Sequence, residues 1–181
     1  MNIVIFDTET TGLTKAAPAR IELQPYMTEI YCLKINEKFE KVGELESMVK
    51  PPIPISKEIT KITGITDYDV AHAPIFFSIY DRLYDFFSDV DIVVGHNVSF
   101  DIDVMHYELF RHDLDKKFCY PKRHICTVEE SYHIKNKRLK LIQLHEELFG
   151  EGFDGGHRAR NDVVATASCF VELVKRGDIA L

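Results

Sequence analysis

The sequence predicts an α/β domain in which a mixed β-sheet is packed between helices. Short apolar runs typical of buried strands occur near the N-terminus and in the middle of the chain, and segments with apolar residues at helical spacing flank the second run. β-rich segments come first and helices then alternate with one central strand, an order that favours a mixed sheet covered by helices. The length of 181 residues and the 45% of hydrophobic residues suit one domain with a sizeable core.

Four strands are predicted. Residues 3–6 form a short apolar run that suits a strand buried on both faces. Residues 30–35 are rich in β-formers and lead into a turn at residues 36–38, after which residues 39–49 are predicted to return as a third strand. The second apolar run, residues 92–95, predicts a buried central strand.

Four segments carry apolar residues at helical spacing and are predicted to be helices: residues 75–88, 100–112, 139–149 and 162–176. Ser99 is the expected N-cap of the second helix. Gly150 and Gly177 are expected to end the third and fourth helices, because glycine adopts the left-handed conformation found just after a helix. The aromatic residues of 75–88 could stack on bases, but their helical spacing favours the core.

No internal repeat, low-complexity tract or long linker is present, so we expect a single domain over residues 1–181. No apolar run approaches the roughly 20 residues that a membrane-spanning helix needs. The N-terminal residues lack the features of a secretory signal, and the four cysteines include no Cys-x-x-Cys pair. We therefore expect a soluble, cytoplasmic protein with no membrane partner.

The net charge of −7 argues against a protein that binds nucleic acid through a broad basic face. It does not argue against an enzyme that binds phosphates through divalent cations held by carboxylates, because bound cations reverse the local sign of charge. Net charge therefore leaves the class of partner open.

The first acidic motif is the segment from Asp7 to Leu13, DTETTGL. Side chains alternate along a strand, so Asp7 and Glu9 leave the chain on the same side, at the end of an apolar strand. Neighbouring carboxylates repel each other unless a cation offsets their charge, and hard oxygen ligands favour Mg²⁺ or Mn²⁺. Taken alone, the motif is equally consistent with a solvated strand end.

Two further motifs carry candidate catalytic groups. Asp101, in the segment HNVSFD, is placed in the first turn of the helix that follows strand 92–95. The alternative to a catalytic role is that its carboxylate only stabilises the helix dipole. His157 and Asp162 are five residues apart and converge only if His157 stands in the Gly-rich lead-in and Asp162 on the following helix. A free imidazole there suits a general base, although an exposed loop histidine is the alternative.

Together the three motifs resemble those of the DEDDh 3′→5′ exonucleases. The matching segments are Phe6 to Leu13, then His96-Asn97 with Phe100-Asp101, then His157-Arg158-Ala159 with Asp162. The resemblance implies a ribonuclease H-like fold, a mixed five-stranded sheet with helices on both faces. Thr10 looks closer to the branch of the proofreading subunit of bacterial replicative DNA polymerase than to oligoribonuclease, which tends to have methionine at that position.

The resemblance also implies a mechanism. Asp7, Glu9, Asp101 and Asp162 are expected to hold two Mg²⁺ ions, with Mn²⁺ as a substitute, and His157 is expected to be the general base. The implied product is a nucleoside 5′-monophosphate released from the single-stranded 3′ end of DNA, in proofreading or repair and with a DNA polymerase as a candidate partner. The alternatives are an RNA-trimming exoribonuclease of the oligoribonuclease or ribonuclease T type and an inactive nucleic-acid-binding or polymerase-docking module.

Further residues are expected to contact the substrate by resemblance: Thr8, Thr10, Thr11, Gly12, Leu13, Glu58, Thr63, Asn97 and Phe100. Two positions depart from the family pattern. Thr63 stands where the proofreading subunit usually has histidine, and Arg160 stands where a small or aliphatic residue is more usual.

A separate basic patch could guide the phosphate backbone of a nucleic acid, although such a charge run is more often a solvated face. The patch comprises Lys135, Lys137, Arg138 and Lys140.

Overall fold

The computed structural model describes residues 1–16 and 19–181 and contains one five-stranded mixed sheet in the order β3-β2-β1-β4-β5. The strands are β1 (Asn2–Thr10), β2 (Met27–Asn36), β3 (Lys41–Met48), β4 (Ile92–Gly95) and β5 (Arg123–Cys126). The first three strands pair antiparallel, and β4 runs parallel to both β1 and β5. The predicted mixed sheet is confirmed.

Eight α-helices and a short 3₁₀ helix (Ile21–Leu23) accompany the sheet in the described residues. The α-helices are α1 (Lys57–Thr63), α2 (Asp67–Val70), α3 (Phe76–Phe87), α4 (Val98–Arg111), α5 (Thr127–Glu130), α6 (Tyr132–Lys135), α7 (Leu141–Phe149) and α8 (Ala159–Arg176). Gly150 and Gly177 adopt the left-handed conformation after α7 and α8, as predicted. Within these residues, no helix combines the length and apolarity that crossing a membrane requires.

The prediction that Ser99 caps the helix of motif two is wrong. α4 begins at Val98, and Asn97 takes the cap position in a left-handed conformation with φ 71°. Asparagine is one of the few residues that tolerate that region, so the chain can turn sharply from β4 into α4. Asp101 lies in the first turn of α4, as predicted.

Alternating side chains of β1 point into two separate cores. Val4 and Phe6 pack with residues of α3 and α4, whereas Ile3 and Ile5 pack with residues of α7 and α8. In α3, the aromatic residues Phe76 and Phe87 are buried in the first of these cores. Helices therefore cover both faces of the sheet. The interpretation of the aromatic segment as core is confirmed for Phe76 and Phe87, whereas Phe77 and Tyr84 are exposed.

The carboxyl end of β1 extends beyond its parallel neighbour. β4 pairs with β1 only through Ile3, Val4 and Ile5, and β4 ends at Gly95. From Asp7 onward, β1 therefore has no parallel neighbour on that side, and the chain leaving β4 turns into α4 beside it. In mixed α/β sheets this is where ligand crevices form.

Candidate active site

Asp7, Glu9 and Asp162 form one carboxylate cluster at this open end of β1. One carboxylate oxygen of each residue lies within 4.8 Å of the others. Asp7 and Glu9 share a face of β1 with Ile3 and Ile5, which is the face that α8 covers, and Asp162 lies in the first turn of α8. The predicted convergence of the first and third motifs is confirmed.

Asp101 reaches the same place from the opposite face of the sheet. Its Oδ1 accepts hydrogen bonds from the backbone N–H and the hydroxyl of Thr8, both at 2.8 Å, and its side chain is buried. Thr8 lies between Asp7 and Glu9 in the strand, so its side chain points toward α4 while theirs point toward α8. Thr8 therefore fixes Asp101 beside the cluster.

Burial and mutual repulsion raise the pKa values of these carboxyls. Burial raises the pKa of Glu9 from 4.5 to about 8, and the charges of Asp162 and Glu29 add to the effect. Burial raises the pKa of Asp101 to about 7, even though the hydrogen bonds from Thr8 oppose it. The pKa of Asp7 is raised well above its ordinary range by burial and then by Asp101, and burial also raises that of Asp162.

The donor set fits divalent metal ions. Carboxylate oxygens are the ligands that Mg²⁺ and Mn²⁺ favour, and in the described part of the chain no cationic side chain forms a salt bridge with Asp7, Glu9 or Asp162. Acids held this close in the charged form need an external cation, which agrees with their raised pKa values. We therefore treat the cluster as a candidate metal site.

His157 stands at the end of a tightly folded lead-in to α8. Its backbone has φ 66°, and its N–H donates to Asp162 Oδ2 at 3.0 Å. Asn161 Nδ2 donates to the carbonyl of Gly155 at 2.8 Å, and a Cβ on Gly155 would lie 2.4 Å from that nitrogen. The imidazole is exposed and lines the same cleft as Asp7 and Asp162, as expected from the sequence.

Glu29 is a functional-site residue that sequence reasoning missed. It lies directly opposite Glu9 in the β1–β2 ladder and is only 2% exposed. Arg158 binds it with two hydrogen bonds, of 2.7 and 3.1 Å, and the N–H of Ala159 adds a third at 3.1 Å. Like charges directly opposite in a sheet are unfavourable, so this bidentate pairing neutralises Glu29 and leaves Glu9 available as a ligand.

The same pair fastens the third motif to the sheet, because Arg158 follows His157 directly. Arg160 makes a second attachment: its guanidinium bonds Glu46 of β3 at 2.7 Å and lies 4.8 Å from the ring centre of Tyr31. The departure from the family pattern at position 160 thus serves to hold the start of α8 on β2 and β3. Two features of the sequence could have indicated these attachments: Glu29 is an acid inside an otherwise β-forming segment, and two arginines flank Ala159.

His96 and Asn97 connect the second motif to the loop before α7. His96 Nε2 lies 3.1 Å from the carbonyl oxygen of Leu139, and its Nδ1 lies 2.9 Å from the hydroxyl of Thr127. Burial lowers the pKa of His96 to about 4, so the ring is neutral and serves structure. Arg138 Nη2 donates to Asn97 Oδ1 at 2.9 Å.

A cleft of about 960 Å³ joins these features. Its lining combines the carboxylates, the imidazole, an apolar floor and two basic side chains: Asp7, Leu13, His96, Asn97, Val128, Arg138, Leu139, Lys140, Leu141, Ile142, Phe153, Gly156, His157 and Asp162. Leu13 is 80% exposed at its edge.

The other predicted contact residues have mostly structural partners. The hydroxyl of Thr10 donates to the carbonyl of Gly12, and that of Thr11 accepts from the N–H of Tyr26. Thr63 is buried, and its hydroxyl bonds the backbone of α1.

Of the nine predicted contacts, which all lie in the described part of the chain, Leu13 and Asn97 line the cleft and seven do not: Thr8, Thr10, Thr11, Gly12, Glu58, Thr63 and Phe100. Glu58 and Thr63 both lie on α1, and Phe100 packs against the core that β1 shares with α3 and α4.

Comparison with known proteins agrees with this site. A family model described as "Exonuclease" matches residues 4–170. The DNA polymerase III PolC-type protein of Caldanaerobacter subterraneus subsp. tengcongensis is 30% identical over 177 residues, covering 96% of this chain. This chain spans only 12% of the length of that relative.

Solved structures share the fold. Exonuclease X in complex with 5′ overhanging duplex DNA superposes with a TM-score of 0.70 at 23% identity, covering 98% of this chain and 94% of that one. The nuclease domain of 3′hExo, a DEDDh family member bound to rAMP, gives a TM-score of 0.75 at 19% identity, covering 97% and 92%. With the family model matching residues 4–170, and with four acids and a histidine gathered at the end of β1, this chain belongs to the DEDDh exonuclease family.

Proposed function

We propose that this chain removes nucleotides from the single-stranded 3′ end of DNA and releases nucleoside 5′-monophosphates. The observation that carries the proposal is the cluster of Asp7, Glu9 and Asp162, with Asp101 held beside it by Thr8, at a cleft that an exposed His157 also lines. The similarity to PolC-type polymerases supports DNA as the substrate and a DNA polymerase as the partner, in proofreading or repair.

Asp7, Glu9, Asp101 and Asp162 would hold the metal, which we propose to be two Mg²⁺ ions with Mn²⁺ as a substitute. Such cations, when bound, offset charge on the phosphodiester and on the departing 3′ oxygen and make water a better nucleophile at neutral pH. The chain itself orients these ligands: Thr8 fixes Asp101, and Arg158 offsets the charge of Glu29, which lies directly opposite Glu9.

His157 is the proposed general base, because its imidazole is free in the cleft while His96 is locked in hydrogen bonds. Leu13 is proposed to pack against the terminal base, since it is the exposed apolar side chain at the edge of the cleft. Contacts from the other positions stay predictions: Thr8, Thr10, Thr11, Gly12, Glu58, Thr63, Asn97 and Phe100.

Replacing His157 with glutamine is expected to lower kcat by about 10²- to 10⁴-fold at saturating Mg²⁺. A general base acts on the reacting water rather than on binding of the strand, so the loss should appear in kcat with little change in KM. His72→Gln is the matched control, since His72 is exposed and is absent from the residues that line the cleft. Wild-type kcat in His157→Gln would exclude His157 as the base.

The activity itself is tested by digesting oligonucleotides labelled at the 3′ or the 5′ end, as single and double strands of DNA and RNA. We expect 3′-labelled single-stranded DNA to yield labelled mononucleotide at once, while the 5′-labelled strand shortens stepwise. Faster trimming of RNA would instead identify an exoribonuclease. Absence of hydrolysis on every substrate with Mg²⁺ or Mn²⁺ would leave an inactive binding or docking module, and the proposal would fall.

A further inference from the structure

The lining of the cleft includes two basic side chains as well as acids. Arg138 and Lys140 both line the cleft that contains Asp7, His157 and Asp162. In the described part of the chain, neither basic side chain forms a salt bridge. Basic side chains that line a cleft without acidic partners, in a protein with a net charge of −7, favour the approach of an anion to that cleft.

The structure divides the basic patch of the sequence into two parts. Lys135 turns away and pairs with Glu147 on α7 at 3.0 Å. Lys137 is exposed and is absent from the residues that line the cleft. Only Arg138 and Lys140 share the cleft with the catalytic groups, so any contact with substrate falls to these two.

Arg138 is held in place by a neutral partner. Its guanidinium donates to Asn97 Oδ1, and the next residue, Leu139, bonds His96 through its carbonyl oxygen. The second motif thereby anchors both residues of the loop beside the cleft. An amide oxygen orients the guanidinium without neutralising it, so the remaining N–H donors stay available for a phosphate.

We propose that Arg138 and Lys140 bind backbone phosphates of the substrate strand on the 5′ side of the bond that is cut. The inference rests on the proposed function and adds to it the direction in which the strand leaves the site. The two side chains line the cleft with Asp7 and Asp162 and form no salt bridge with either acid in the described part of the chain; in the proposal they meet phosphates beyond the one at the carboxylates. The ligand is therefore a strand of at least two linked nucleotides.

Two substrates separate this contact from a purely structural role. An oligothymidylate strand has phosphates on the 5′ side of the bond that is cut, whereas thymidine 5′-monophosphate p-nitrophenyl ester offers only the scissile phosphodiester. For each we would measure kcat/KM from about 50 to 200 mM KCl at constant low Mg²⁺. The variants are Arg138→Gln, Lys140→Gln and the double variant, with Arg138→Lys to restore charge. Lys135→Gln and Lys137→Gln are the matched controls.

For the oligonucleotide, each of the two neutral variants should make the plot of log(kcat/KM) against log[KCl] shallower by about 0.7, the value for one single-strand phosphate contact. Activity on the ester should stay within about twofold of wild type, and Arg138→Lys should recover most of the salt dependence. Both controls should match wild type on both substrates.

Equal losses on the ester and the oligonucleotide, or an unchanged salt slope, would overturn the inference and leave Arg138 as a support for Asn97. Controls that change the slope as much as Arg138→Gln would also overturn it. Failure of the wild-type enzyme to cleave either substrate is a separate result, which would overturn the proposed function itself.

Discussion

Replacement of Asp7 by asparagine is expected to reduce kcat by at least about 10³-fold, with little change in the fold. Asp7 is the central acid of the site, because the charges of Asp101, Asp162 and Glu9 all raise its pKa. A weakened metal site forfeits several kcal/mol of transition-state stabilisation, and about 4 kcal/mol corresponds to a thousandfold in rate. The measurement is kcat on a 3′-labelled single strand at saturating Mg²⁺.

A second readout separates loss of chemistry from loss of folding. Because Asp7→Asn removes one of several repelling acids, the metal-free variant should melt at the same temperature as the wild type or higher at pH 8. Asp103→Asn is the matched control, since Asp103 is an exposed acid on α4 close to Asp101 in sequence, and its activity should be unchanged. Wild-type activity in Asp7→Asn would remove the carboxylates from the mechanism.

The metal-free protein is expected to lose stability as the pH rises from about 4.5 to about 8. Glu9 and Asp101 titrate at about 8 and about 7 in the folded chain, above their ordinary values of 4.5 and 3.8. The folded protein therefore binds more protons than the unfolded chain across this interval, so the free energy of unfolding falls with increasing pH, by a total on the order of a few kcal/mol. Thermal denaturation in a chelating buffer at several pH values measures it.

Adding Mg²⁺ or Mn²⁺ should raise the melting temperature, and by more at pH 8 than at pH 5. The carboxylates must be ionised to bind metal, so protons and cations compete for the site. An equal ionic strength of KCl is the control for general screening. If metal-free stability rose through this interval, or if the metal stabilised equally at both pH values, the acids would not form one cation site.

Local patterns predicted most of the regular structure because the relevant interactions lie within a few residues. The apolar run at residues 92–95 became β4, and Gly150 and Gly177 end their helices as expected. β5 was missed, since its first two residues, Arg123 and His124, are exposed and its four residues carry no alternation. The short helices α1, α2, α5 and α6 offer too few turns to show a helical period.

The acids of the site were predictable only as a set. Asp7, Asp101 and Asp162 are each ordinary residues in their own segments, and the motif resemblance joined them. No local pattern could show that Glu29 lies opposite Glu9, or that Arg158, 129 residues further along the chain, neutralises it. The register of β1 with β2 decides that pairing, and register is a property of the folded sheet.

The sequence by itself determined four of the five strands and the longer helices, because periodicity and helix-ending glycines are carried by neighbouring residues, and its motifs singled out the candidate metal-binding acids. Only the tertiary structure decided that the acids meet where β1 extends beyond β4, and which basic residues face them. Arg138 reaches Asn97 across 41 residues of sequence, while Lys135 in the same run pairs with Glu147. These different partners depend on how separate elements pack together. Packing brings side chains close in space that are far apart in sequence, so the sequence alone does not show which of them meet.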